Sequence, residues 1–196
     1  MRSEPLRAGP GEAGAGPPRR ALPGRLIWVV ALAVAGVVVV LDQATKLLAE
    51  WHLADGPIDL GLVDLTLVRN PNAAFGIPGF TGMFLIVTVV VVALVARMLV
   101  TADRLSLAFA YGLVTGGALG NALDRALRDP GFPDGAVVDF INLGWFPVFN
   151  VADSAISVGA VLVIALLLLS DRERAREERA RQQRQSVRPD TVPPRR

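Results

Sequence analysis

The sequence predicts an all-α membrane protein with four transmembrane helices, a small extracytoplasmic β-cradle with a flap, and both termini in the cytoplasm. Three observations carry that expectation. Hydrophobic residues fill 52% of the 196 positions, more than the core of a soluble domain of that size uses. Four apolar runs, approximately Leu26–Leu48, Met83–Val100, Leu105–Leu123 and Val151–Ser170, each approach the length of about 20 residues that a helix needs to cross hydrocarbon. The basic residues are also unevenly shared among the segments between those runs. With both ends inside, the cytoplasmic side holds Arg2, Arg7, Arg19, Arg20, Arg25, Arg97, Arg104 and the nine arginines of the C-terminal segment, or 16 of the 20 Lys and Arg. Only Lys46, Arg69, Arg125 and Arg128 face outward, which is the asymmetry of an N-in, C-in chain.

Each element follows from its local composition. Residues 1–24, rich in Gly, Pro, Ala and Arg without periodicity, read as a disordered cytoplasmic tail. The first apolar run has arginines before it like a secretory signal, but three further spans follow and no convincing small-residue cleavage site comes after Leu41, so it is expected to be a retained anchor. A membrane domain is expected over residues 25–170, with outer segments at 49–82 and 128–149. In the first, the alternation from Ile58 to Val68 reads as short strands, and Trp51 suits the interface. In the second, Pro130, Gly131, Pro133 and Gly135 suit a flap, and Ala136–Ile141 reads as another strand. Residues 171–196 form an Arg-rich cytoplasmic tail, largely disordered, although 171–185 alternatively extend the last helix into water. The high isoelectric point, about 9.9, is explained by this topology rather than by nucleic-acid binding.

The residue inventory narrows the chemistry. The absence of cysteine excludes a thiol nucleophile, thiolate metal sites and disulfides. A single histidine, His52, cannot build a catalytic zinc site of the usual kind, so no metal or other cofactor is expected, and His52 is read as an interfacial polar residue. Ser154 and Ser157 have no histidine partner that sequence can place. Carboxylates remain. Counting about 20 residues inward from each cytoplasmic charge at 1.5 Å per residue puts Asp42, Asp124 and Asp153 in one layer near the outer edge of the bilayer, where an ionisable residue marks function by default.

Asp124 and Asp153 share an Asn-x-x-Asp pattern, with Asn121 and Asn150, that places amide and carboxylate on one helix face. At Asn150 and Asp153 a capping box at the start of the fourth helix is the alternative. Asp124 lies at a helix C-terminus, where the macrodipole disfavours an anion, and a simple ion pair with Arg125 is its alternative. Two carboxylates at one depth in a partly dry site suit aspartic-peptidase chemistry, in which one keeps a proton and the other activates water. A proton-coupled or ion transporter using Asp42, Asp124 and Asp153 as a relay is the competing reading. The Gly-x-x-x-Gly spacings of Gly112, Gly116 and Gly120 predict close helix packing, and Trp145 and Phe146 are expected to anchor the flap.

Five stretches, in order, resemble the lipoprotein signal peptidase family, signal peptidase II. They are Asp42-Gln43-Ala44-Thr45-Lys46, Arg69-Asn70-Pro71-Asn72-Ala73-Ala74-Phe75, the run Gly116 to Arg125, Val137-Val138-Asp139-Phe140, and Phe149-Asn150-Val151-Ala152-Asp153-Ser154. The likeness covers nearly the whole core from about residue 26 to 170. The resemblance implies a monomeric bacterial inner-membrane enzyme, embedded in membrane lipids, that cuts diacylglyceryl-modified prolipoproteins on the amino side of the lipidated cysteine. It implies Asp124 and Asp153 as the catalytic pair, with Asp42, Lys46, Asn70, Asn121, Arg125, Asp139 and Asn150 as supporting or substrate-binding residues. Asn72 stands where the family usually has Gly. The Gly-x-Gly-Asp signature of presenilin-type proteases is not found.

Overall fold

A computed structural model of the chain describes residues 23–71 and 81–186. Asn72, with the rest of 72–80, lies outside the described residues, as do 1–22 and 187–196. The four apolar runs are four helices. Helix α1 (Gly24–His52) starts directly after Pro23, α2 is Thr81–Val100, α3 is Leu105–Leu127, and α4 is Val151–Ser186. Each extends to or beyond the run that predicts it, because polar residues at the ends continue the helix. The largest extension is in α4. Residues 171–186 prolong it, with exposed side chains over 171–183, so for this stretch the extended helix replaces the largely disordered tail. Arg104, just before α3, donates to Glu173 at 2.7 Å and ties the extension to the bundle.

Helix α3 packs against each of the other three. Its glycines explain how. A Cβ on Gly112 or Gly116 would come 2.7 Å from the Ala31 or Ala35 carbonyl oxygen of α1, and one on Gly117 would strike the Ala152 carbonyl of α4. The backbones therefore touch where those side chains are missing, as the spacing predicts. Ile27, Ala31, Val95, Leu99, Leu107, Ala108 and Tyr111 fill one buried cluster between α1, α2 and α3.

The outward faces are apolar as well. Leu32, Val40, Val89, Val161 and Ile164 are each more than half exposed, the inverse of a soluble bundle, whose exposed positions are mostly polar. Among the described residues, Gly24–His52 and Val151–Gln183 are long and apolar enough to cross a membrane, and Leu85–Val100 is a shorter apolar helix. Helix α3 buries Gly112, Gly116, Gly117, Gly120, Asp124 and Arg125 beside its Leu, Ala and Tyr positions, and it is the element that contacts all the other helices.

The two outer segments form one antiparallel sheet in the order β1 (Ile58–Asp59), β2 (Asp64–Asn70), β3 (Val137–Asn142). In its register Val68 lies opposite Asp139 and Asn70 opposite Val137, past an irregularity between Leu65 and Val68. Residues 143–148 then turn back, helped by Gly144 at a φ of +76° that favours glycine. As a result Phe149 bridges Ile141, with hydrogen bonds of 2.8 and 3.1 Å. Asn150 is thereby carried onto β3 just before α4 begins. Ala49, Leu53 and Phe140 pack beneath the sheet and join it to the end of α1.

Candidate active site

Two layers of carboxylates meet where α1, α3, α4 and β3 converge. The inner layer is an ion cluster. Asp42, Lys46 and Asp124 have 0% exposure, and Lys46 Nζ lies 2.7 Å from Asp42 Oδ2 and 2.8 Å from Asp124 Oδ2. Its third proton goes to Asn121 Oδ1 at 3.0 Å, which uses every donor an ammonium has. Asp124 accepts further from Gln43 Nε2 at 3.0 Å, Arg128 Nε at 2.9 Å and the Val138 N–H at 3.1 Å. Asp42 accepts from Gln43 and from the Ala152 N–H, at 3.2 and 2.9 Å. Arg128 also pairs with Glu50, which pairs with the exposed Arg69 at 3.3 Å. This explains an acid at the C-terminal end of α3. Lys46 and Arg128 compensate it where the helix dipole does not.

The outer layer holds Asp139, on β3, and Asp153, in the first turn of α4, and neither has an ion-pair partner among the salt bridges of the described residues. Asn150 joins them. Its Nδ2 donates to Asp139 Oδ1 at 2.8 Å, its N–H donates to Asp153 Oδ2 at 3.2 Å, and its Oδ1 accepts the Asp153 N–H at 3.0 Å. The last two bonds are a reciprocal capping box, so the capping alternative is present at this position. It does not exhaust Asp153, whose Oδ1 also accepts from Asn121 Nδ2 at 2.8 Å. Asn70 donates to Asp139 Oδ2 at 3.3 Å. Burial, and then the charge of Asp153, push the Asp139 carboxyl up to about 6 despite those amide bonds.

Both outer carboxylates face a cavity of about 1320 Å³ that opens between α2, α3, α4 and the sheet. Its deep wall is apolar, with Val87, Val91, Val114 and Ile156, and its polar end carries Asn70, Asn121, Arg125, Asp139 and Asp153. Asp42, Lys46 and Asp124 do not line it. The candidate residues are thus gathered into one region, but split between a saturated interior and a cavity wall. Arg125 is on the wall side: it donates to the Gly135 carbonyl at 3.4 Å, and the cations paired with Asp124 are Lys46 and Arg128. A sequence signal for this division existed. Asp42 and Asp124 each have a cation four residues on, Lys46 and Arg128, the spacing of a helical ion pair, whereas Asp139 and Asp153 have none.

Comparison with known proteins identifies the framework. A family model described as signal peptidase (SPase) II matches residues 34–169. The chain belongs to the signal peptidase II family. A lipoprotein signal peptidase of Rhodococcus jostii is 48% identical over 140 residues, covering 69% of this chain and 71% of the relative. One from Mycolicibacterium smegmatis is 42% identical over 173 residues, covering 85% and 70%. A solved structure titled as a bacterial membrane enzyme is similar with a TM-score of 0.64 and 31% identity, covering 73% of this chain and 90% of that one. The chain is therefore a peptidase, and the transporter reading falls away.

Proposed function

We propose that this signal peptidase II removes the signal peptide from diacylglyceryl-modified prolipoproteins, cutting on the amino side of the lipidated cysteine, with Asp139 and Asp153 as its catalytic pair. One observation carries the assignment of the pair: these two carboxylates face the cavity and share Asn150, while Asp124 is enclosed by two cations, an amide and a backbone N–H. A carboxylate so saturated has no lone pair to offer a water. The catalytic role expected for Asp124 accordingly moves to Asp139.

Two nearby carboxyl groups in a dry pocket hold one proton between them. Asp153, in the first turn of α4 where the macrodipole favours an anion, takes a proton from a bound water, whose oxygen attacks the carbonyl carbon of the residue before the cysteine. Asp139 donates its proton to the developing oxyanion. Collapse of the tetrahedral adduct breaks the C–N bond. The proton held by Asp153 passes to the cysteine nitrogen, and Asp139 recovers its own from the adduct hydroxyl. The products are a signal peptide with a new carboxyl terminus and a lipoprotein with a free α-amine. Asn121 and Asn150 hold the pair, and the valine-lined wall suits acyl chains or an apolar signal helix.

The same proposal includes four membrane spans, cytoplasmic termini, a site near the extracytoplasmic face of the inner membrane, and a monomer surrounded by lipid. The arginine asymmetry and the apolar outer faces of the helices support the topology. Incubation of the purified protein with a diacylglyceryl precursor and an unlipidated copy tests the activity. Release of the signal peptide from the lipidated form alone is expected; equal cleavage of both removes the lipid from the specificity. A reporter fused after Asp134 that is active only in the cytoplasm overturns the topology.

A further inference from the structure

The ion cluster touches the backbone at two points, and both are adjacent to a catalytic carboxylate. Asp42 Oδ1 accepts the N–H of Ala152, the residue before Asp153, at 2.9 Å. Asp124 Oδ2 accepts the N–H of Val138, the residue before Asp139, at 3.1 Å. Lys46 Nζ joins Asp42 Oδ2 to Asp124 Oδ2 and sends its remaining proton to Asn121, which holds Asp153. We propose that Asp42, Lys46 and Asp124 form a yoke that sets the separation of Asp139 and Asp153 by gripping the backbone amide immediately before each. The inference rests on the catalytic pair proposed above.

The grips fall where the backbone offers them. The Ala152 N–H belongs to the first turn of α4, whose amides have no partner within the helix. The Val138 N–H belongs to β3, which lies at the sheet's edge and is directed to α3. Two elements with no covalent connection shorter than the 143–150 loop are thus tied to one ammonium group. Close approach is built in on both sides. A Cβ on Gly120 would lie 2.6 Å from Asp42 Oδ2, and one on Gly135 would lie 2.5 Å from the Asp124 carbonyl oxygen. Stability alone does not require such an arrangement, because buried ion clusters replaced by apolar side chains of like volume are often neutral or more stable. Geometry is what the charges add: each carboxylate has one position in which it satisfies both the ammonium and an amide. Asp42, Lys46 and Asp124 are therefore positioning residues, acting through Ala152, Val138 and Asn121.

The test measures kcat and KM for the diacylglyceryl precursor on folded, monodisperse full-length protein carrying Asp42→Ala, Asp42→Asn, Lys46→Met, Asp124→Ala, Gly120→Ala or Asp139→Asn, with Arg104→Ala as a control at the far end of the bundle. A displacement of about 1 Å at a reacting group costs roughly a hundredfold in rate. Asp42→Ala, Lys46→Met and Asp124→Ala are expected to lower kcat about that much, with KM within about threefold of wild type. Asp42→Asn is expected to recover part of the loss, because its amide oxygen still accepts the Ala152 N–H. Gly120→Ala is expected to lower kcat with every charge retained. Wild-type kcat per folded molecule in these variants overturns the yoke, as does an Asp124→Ala enzyme that loses about four orders of magnitude, the upper end for a missing general acid or base. If the alanine and methionine variants do not fold, Asp42→Asn and Gly120→Ala decide by the same kcat comparison. An active Asp139→Asn enzyme instead overturns the catalytic pair.

Discussion

Replacing Asp139 by Asn should inactivate the enzyme and, above pH 6, make it more stable. Asp139 is 4% exposed, and its carboxyl is pushed from its ordinary 3.8 to about 6 by burial and by Asp153. The folded state therefore holds this proton more tightly than the unfolded state does. Ionising the group costs nothing extra below pH 3.8, costs progressively more as pH rises towards 6, and has its full cost above that. At about 1.4 kcal/mol per factor of ten, the full cost is about 3 kcal/mol. An amide never ionises, and the Asn70 side chain can rotate to accept from it while Asn150 still donates. Denaturation midpoints of wild type and Asp139→Asn, taken in one detergent from pH 4 to 8, should coincide near pH 4 and separate by up to about 3 kcal/mol in favour of the variant at pH 7.5. Cleavage should fall by about two to four orders of magnitude at every pH. A variant less stable than wild type at pH 7.5, or a difference that does not change with pH, refutes the reasoning. For wild type, kcat/KM should fall on the alkaline side as the proton held by the pair in the free enzyme is lost.

Three further outcomes follow from the geometry. Asn150→Ala removes the cap of α4 and the link between the carboxylates, so the midpoint should drop by about 1–2 kcal/mol and activity should fall further than that instability explains, as measured on the folded fraction. Gly117→Ala puts a methyl group against the Ala152 carbonyl and Ile156; forcing α3 and α4 apart should cost about 1–3 kcal/mol, seen as a lower thermal midpoint. Chelators, serine acylating reagents and thiol reagents should leave the rate unchanged, since a chain with no cysteine and one histidine offers neither a metal shell nor those activated nucleophiles; a rate lost to chelator and restored by zinc would contradict this.

The helices were legible because each is an apolar run bounded by charge, and the strands because Ile58–Val68 alternates and Ala136–Ile141 is rich in β-branched and aromatic residues. The gathering of Asp42, Asp124 and Asp153 was also legible, since depth along an apolar helix can be counted from the charge that bounds it. Asp139 escaped that count. It sits on a strand, and its distance from Asp153 depends on the β2 to β3 register, set by pairing distant in sequence, and on the bridge between Phe149 and Ile141, closed by the turn over 143–148. The two Asn-x-x-Asp copies have different surroundings for a related reason. Identical spacing at opposite helix ends has opposite consequences: at the start of α4 the pair closes a capping box, and at the end of α3 the carboxylate must turn to Lys46 and Arg128. The i,i+4 cations that separate the two roles lay in plain sight, at positions more naturally read as outward-facing charge.

The length of α4 has a consequence for where the enzyme can work. Its 36 residues make a rod about 54 Å long, against a hydrocarbon layer of about 30 Å. Asp153 is at one end, and the arginines from Arg172 onward are at the other. With the helix spanning the membrane, those arginines cannot be drawn into hydrocarbon, so they act as a waterline on a hull, fixing the draught at which Asp153 rides below or above the opposite surface. On the proposed assignment the Asp153 carboxylate then has a depth measured from the far side of the bilayer, and lipid thickness becomes a setting of the enzyme. Thick membranes submerge the site and thin ones lift it into water.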